Sequence, residues 1–163
     1  MLQEEFAAFY AGVRRGFRLY LLQLCGNESL ADELFQESFC RFLQRVPNRL
    51  NEAQRRAYLY RIGSRLEIDR RRRLRLEKDL LLSEREAPTV SASDRLGLDM
   101  AKVFQRLKPR ERSLLWLAHV EGFSHVEIAA VLGVGERSVR VLLDRARKKL
   151  AGLMERRGYA KSG

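Results

Sequence analysis

Between Glu136 and Lys149 the sequence carries side chains suited to reading and holding a polyanion. Glu136, Arg137, Arg140, Val141 and Asp144 recur at spacings that share one side of a helix. An arginine fork can donate to the edge of guanine, a glutamate can accept from cytosine, and a valine can touch a thymine methyl. Arg145, Arg147, Lys148 and Lys149 follow later on the same segment. Such trailing cations suit phosphates, which fix position rather than sequence. The expected DNA contacts here are Glu136, Arg137, Arg140, Val141, Asp144, Arg145 and Lys148.

A second cationic set lies upstream. Arg61, Arg65 and Arg72 fall opposite an apolar stripe of Leu59, Ile62, Gly63 and Leu66 when about 100° is allowed per residue. The run Arg70-Arg71-Arg72-Arg73, with Arg75, extends that charged side. The formal net charge is +11. Such an excess favours a polyanionic partner through counterion release, nucleic acid first and an anionic membrane surface second.

Other chemistries find little support. The cysteines Cys25 and Cys40 sit among apolar residues and read as small buried side chains. The histidines, His119 and His125, have no Cys or carboxylate array beside them. With no nucleophile-base pair, phosphate-binding glycine loop or metal cluster, the reading is a non-enzyme with no catalytic residues, metal or cofactor. No apolar run approaches the ~20 residues of a membrane span. The start, MLQEEFAAFY, is acidic and aromatic, unlike a signal peptide. The expected location is the cytoplasm, with no stable membrane insertion.

These residues need helices to position them, and helical spacing recurs throughout. Phe6, Phe9, Tyr10, Val13, Phe17 and Leu21 predict a first helix that Gly26 ends. Asn27 can cap a second, with Leu30, Ala31, Leu34, Phe35, Ser38, Phe39 and Phe42 inward and Pro47 as its stop. A third is predicted from Glu52 to Arg75. Residues 1–78 form the expected first domain, and residues 79–94, small, polar and proline-containing, a flexible linker. Residues 95–163 form a second helical domain. Helices are expected from Arg95 to Leu107, from Pro109 to before Gly122, from the capping box Ser124-His125-Val126-Glu127 to Leu132, and from Glu136 onward. The fold class is thus all-α: two small helical domains joined by a linker. The stretch Ser124 to Leu150, with Gly133 at its turn, has the form of a helix-turn-helix, whose second helix enters the major groove.

The C-terminal half resembles two families. Leu107-x-Pro109-Arg110-Glu111-Arg112, Glu121-Gly122-Phe123-Ser124 and Glu127-Ile128-Ala129-x-x-Leu132-Gly133-Val134 look like the last domain of sigma factors and like the DNA-binding domain of response regulators. The ending Arg145-Ala146-Arg147-Lys148-Lys149-Leu150 leans toward sigma. The N-terminal half decides, because it shows no strand-helix alternation of a receiver domain. Instead Ala31 to Phe39 and Tyr58 to Arg72 resemble the signature stretches of domain two in extracytoplasmic-function (ECF) sigma factors. The resemblance implies that Asp32, Gln36 and Glu37 dock on core RNA polymerase. It implies that Tyr58, Arg61, Arg65 and Arg72, with the loop Asn48 to Asn51, engage the −10 promoter element, and that the helix-turn-helix reads the −35 element. An anti-sigma factor is a further partner that the family implies. The alternative is a free-standing dimeric helix-turn-helix regulator. Arg65 stands where relatives often have Asn, and Gly135 where a Ser or Thr cap is common.

Overall fold

The structure is a computed structural model that describes residues 2–81 and 95–156. The described residues are helical and divide into two compact units. The first unit holds α1 (Gln3–Cys25), α2 (Glu28–Arg45) and α3 (Glu52–Leu81). The second holds α4 (Arg95–Gln105), α5 (Pro109–Leu115), most of α6 (His125–Leu132) and α7 (Glu136–Arg156).

Local chemistry sets the joints of the first unit. Gly26 adopts φ 71°, and its N–H donates to the Leu22 carbonyl, closing α1. A left-handed residue of this kind is cheap only for glycine. The Asn27 side chain then accepts from the Leu30 N–H at 2.9 Å and starts α2. Asn51 and Gln54 cap α3 reciprocally, each side chain accepting from the other's backbone N–H at 2.9 Å.

The first core is aromatic. Phe9 stacks on Phe42 with ring centroids 5.0 Å apart, and Tyr60 lies 5.0 Å from both Phe17 and Tyr20. Such pairs add about 0.5–1.5 kcal/mol beyond area burial. Gly63 brings α3 against α1: a Cβ there would lie 2.7 Å from the ring of Phe17, which is itself fully buried. The expected stripe was only partly right. Leu59 and Gly63 are buried, but Tyr60, Ser64 and Glu67 are also buried, whereas Ile62 and Leu66 are only half so. The polar members are accepted because they have partners: Ser64 Oγ shares a 2.6 Å hydrogen bond with Tyr20 Oη.

Three expectations need correction. The helix α3 continues to Leu81, so it crosses the boundary expected at residue 78, and Asp79 to Leu81 are helix rather than linker. The remainder of that linker, 82–94, lies outside the described residues. Cys25 is buried, but Cys40 is exposed, on the side of α2 turned from Phe39 and Phe42. The helix begun at Pro109 changes character at Trp116, where a π-helical turn, Trp116–Val120, replaces the α pattern. There the Glu121 N–H donates to the Trp116 carbonyl, and Trp116 Nε1 donates to Glu121 Oε1 at 3.2 Å.

The second unit has a core of Val103, Leu107, Leu115, Ala146 and Leu153, with Phe104, Leu150 and Met154 against it. Arg112 is buried, and its guanidinium donates to the carbonyls of Gln105, the last residue of α4, and of Leu107 just beyond it. Glu111 closes the other side of that joint, accepting from the Lys108 N–H at 2.8 Å.

Candidate nucleic-acid interface

The helix-turn-helix is built by its caps. Ser124 Oγ accepts from the Glu127 N–H at 3.2 Å, and Glu127 Oε1 accepts from the Ser124 N–H at 2.9 Å. This reciprocal box satisfies two donors that a helix start leaves open. Gly133 takes φ 69° after Leu132, and both its N–H and that of Val134 donate to the Ala129 carbonyl. The turn is thereby fixed in a conformation that a Cβ would strain. Gly135 starts α7 without a side-chain acceptor, its carbonyl receiving the N–H groups of Ser138 and Val139.

This framework turns α7 so that Val139, Leu143 and Ala146 are buried. Glu136, Arg137, Arg140, Val141, Asp144, Arg145 and Lys148 are all exposed on the remaining sides. At about 100° per residue, Arg137, Val141, Asp144 and Lys148 fall nearly in line, flanked by Arg140 and Arg145. Arg137, Arg140, Val141, Asp144, Arg145 and Lys148 therefore share one accessible side, and Glu136 lies round the helix from Arg145. Arg137, Arg140 and Arg145 make no ion pair among the described residues, whereas Lys148 Nζ lies 3.0 Å from Asp144 Oδ2. Two more cations of the trailing run are engaged. Arg147 Nε donates to His119 Nε2 at 3.0 Å, and Lys149 Nζ donates to Glu111 Oε1 at 2.8 Å. Burial of Glu111 opposes its charge, but the bonds from Lys149 and the Lys108 N–H outweigh that and hold the carboxyl below its ordinary range.

On α3 the outward line of Arg61, Arg65 and Arg72 is exposed as the spacing requires. Tyr58 is half-buried, its ring 6.1 Å from that of Phe42 and its hydroxyl donating to the Arg45 carbonyl at 3.4 Å. In the preceding loop Asn48 is exposed and lines a shallow groove with Leu2, Glu5, Pro47 and Arg55. Asn51 is exposed too, but its side chain is occupied as the cap of α3. Arg55 went unnoticed in the sequence: its Nε is buried without a hydrogen-bond partner.

On α2, Asp32, Gln36 and Glu37 are all exposed. The helix separates them, with Asp32 and Gln36 on one side and Glu37 turned about 100° from Gln36. Asp32 accepts from Arg18 Nε at 2.8 Å, and Glu37 from Arg41 Nε at 2.8 Å. An arginine from a partner would have to compete with these, which exposed pairs of this kind resist only weakly.

The two units match two parts of one family in order: residues 9–77 match Sigma-70 region 2 and residues 98–150 match Sigma-70, region 4. The chain belongs to the sigma-70 family, in its ECF group. An ECF RNA polymerase sigma factor, SigE of Mycolicibacterium smegmatis, is 35% identical over 82% of this chain and 56% of its own length. This chain thus spans little more than half of that relative. SigZ of Bacillus subtilis, an RNA polymerase sigma factor, is 24% identical over 85% of this chain and 80% of its own. Among solved structures, the sigma factor RpoE in complex with the anti-sigma factor NepR, from Bartonella quintana, has a TM-score of 0.74 at 22% identity, covering 93% of this chain and 98% of that one. CnrH in complex with the cytosolic domain of CnrY has a TM-score of 0.66 at 25% identity, covering 94% and 90%. No helix among the described residues is long and apolar enough to cross a membrane.

Proposed function

We propose that this sigma factor binds core RNA polymerase and directs promoter-specific initiation, α7 reading the −35 element and α3 engaging the −10 element. The observation that carries this reading is the pairing of two exposed arginine faces in one short chain. Arg137 and Arg140 stand on a capped helix-turn-helix, and Arg61, Arg65 and Arg72 stand on a helix of the other unit. Each face alone binds weakly, and tethering both on polymerase raises their effective concentration.

In this assignment Arg137, Arg140, Val141, Glu136 and Asp144 meet base edges, and Arg145 and Lys148 meet phosphates. Arg61, Arg65 and Arg72 hold the backbone of the opened element beside Tyr58, Asn48 and Asn51. Asp32, Gln36 and Glu37 meet the polymerase. The protein is a non-catalytic factor of the cell interior that needs no cofactor. Two structural relatives are in complex with protein partners, one of them named as an anti-sigma factor. By likeness to them, an anti-sigma factor is proposed as the partner that holds this chain inactive.

The test is reconstituted transcription. Purified protein with core polymerase should give a run-off transcript from the promoter upstream of its own gene, and core polymerase alone should not. Absence of a promoter-specific transcript refutes the reading. A palindromic site bound tightly without polymerase would favour a free-standing dimeric regulator instead.

A further inference from the structure

The run Arg70 to Arg73 looks uniform in sequence and is not uniform in space. Beneath it lies Glu67, a carboxylate only 1% exposed. Its Oε1 accepts from Arg70 Nη2 and from Arg71 Nε, each at 2.8 Å, and its Oε2 accepts from Arg70 Nε at 2.8 Å. Arg70 thus presents its fork inward, in the bidentate geometry that makes charge-assisted pairs strong. Arg71 reaches further, with Nη2 donating to the Leu24 carbonyl at 2.8 Å. That carbonyl lies in the last turn of α1, where helical acceptors run short of donors. Both guanidiniums are half-buried. By contrast Arg72, Arg73 and Arg75 are exposed and make no ion pair among the described residues.

We infer that Glu67 is a positioning residue that divides this run, tying Arg70 and Arg71 to the α1–α3 joint and leaving Arg72, Arg73 and Arg75 to meet nucleic-acid phosphate. The inference deepens the proposed function and rests on its reading of α3 as a DNA-facing helix. The physical reason is the depth of the carboxylate. Were Arg70 or Arg71 to turn to a phosphate, Glu67 would stay buried with its charge less well compensated, and the α1 terminus would lose a donor. No such cost attaches to the outer three.

The salt dependence of promoter binding by the holoenzyme separates the two groups. Each lost phosphate contact flattens the slope of log K against log salt by about 0.7 to 0.9. Arg72→Ala and Arg73→Ala should each flatten the slope by that amount and leave the melting temperature of the chain unchanged. Arg70→Ala and Arg71→Ala should leave the slope unchanged and lower the melting temperature. Glu67→Gln should lower the melting temperature and steepen the slope, because two cations are released to the surface. A slope flattened as much by Arg71→Ala or Arg70→Ala as by Arg72→Ala overturns the division while keeping α3 on DNA. Unchanged slopes for Arg72→Ala and Arg73→Ala overturn the DNA-facing reading of α3 and the inference with it. Should Glu67→Gln fail to fold, the four arginine variants decide alone.

Discussion

The two basic runs of this chain, Arg70 to Arg75 on α3 and Arg145 to Lys149 on α7, look alike in sequence and are held in different ways. On α3 the counter-charge is buried, and two arginines converge on the one carboxylate of Glu67. On α7 the partners lie nearer to water: Lys148 and Asp144 are 77% and 59% exposed, and Lys149 and Glu111 39% and 21%. Pairs open to solvent contribute about 0–1 kcal/mol and are screened by salt, so a phosphate can displace them. A pair built on a buried carboxylate cannot be exchanged so cheaply. A cation's availability to DNA is therefore decided by the depth of its partner and not by the density of arginines around it.

The largest expected effect tests that contrast directly. Glu67→Ala leaves two half-buried guanidiniums without their counter-charge and should cost roughly 3 kcal/mol of stability, given what breaking a buried pair costs. Asp144→Ala, which removes the partner of Lys148, should stay within about 0.5 kcal/mol. Denaturation of the full chain measures both, and comparable losses would erase the distinction between the runs.

The contrast also marks how far the sequence was readable. Gly26, Asn27, Pro109, Ser124 and Gly133 act through their own backbone neighbourhood, and their expected capping or turn roles appear as read. The faces Arg61-Arg65-Arg72 and Arg137-Arg140 follow from helical period alone, and they are exposed. Glu67 was not legible, because an acid among arginines on a polar helix reads as surface. Its setting is tertiary: Arg71, which it holds, reaches the Leu24 carbonyl of α1, 43 positions from Glu67. Ser64 was hidden for the same reason, since its partner Tyr20 comes from α1. Within the candidate site, sequence placed Asn51 and Asp32 at the surface but could not show that Asn51 caps α3 or that Arg18 already holds Asp32. The motif Pro109-Arg110-Glu111-Arg112 carried the family likeness, and in the fold Glu111 and Arg112 hold the α4–α5 joint.

A smaller effect sharpens the comparison within α7 itself. Arg140 has no internal counter-charge among the described residues, and Lys148 has one at the surface. Arg140→Ala should lose about 1–3 kcal/mol of discrimination at the base it reads, so a matched promoter suffers and a mismatched one does not. Lys148→Ala should weaken all sequences alike and flatten the salt slope by about 0.9 at most, less if Asp144 retains it part of the time. Equal losses for Arg140→Ala on matched and mismatched promoters would remove it from base recognition.

The smallest effect concerns pH and an α7 pair that also holds a fold joint, Lys149 with Glu111. Glu111 links the start of α5, through the Lys108 N–H, to α7 through Lys149. Its carboxyl is held below the ordinary range despite partial burial, because those two donors favour the charged form. A depressed carboxyl contributes stability that is complete above its unfolded value, about 4.3, and that disappears as pH falls through the lower folded value. Glu111→Gln keeps an oxygen for the Lys108 N–H but removes the charge that Lys149 meets. The melting temperature of the variant should therefore lie slightly below that of the parent at pH 7, and the gap should close as pH falls from the unfolded value through the lower folded one. Added salt should narrow it as well, since Lys149 is 39% exposed. A gap that persists unchanged into acid would mean that Glu111 acts through shape alone, and that the exposed pairs of α7 contribute no electrostatic hold on its fold.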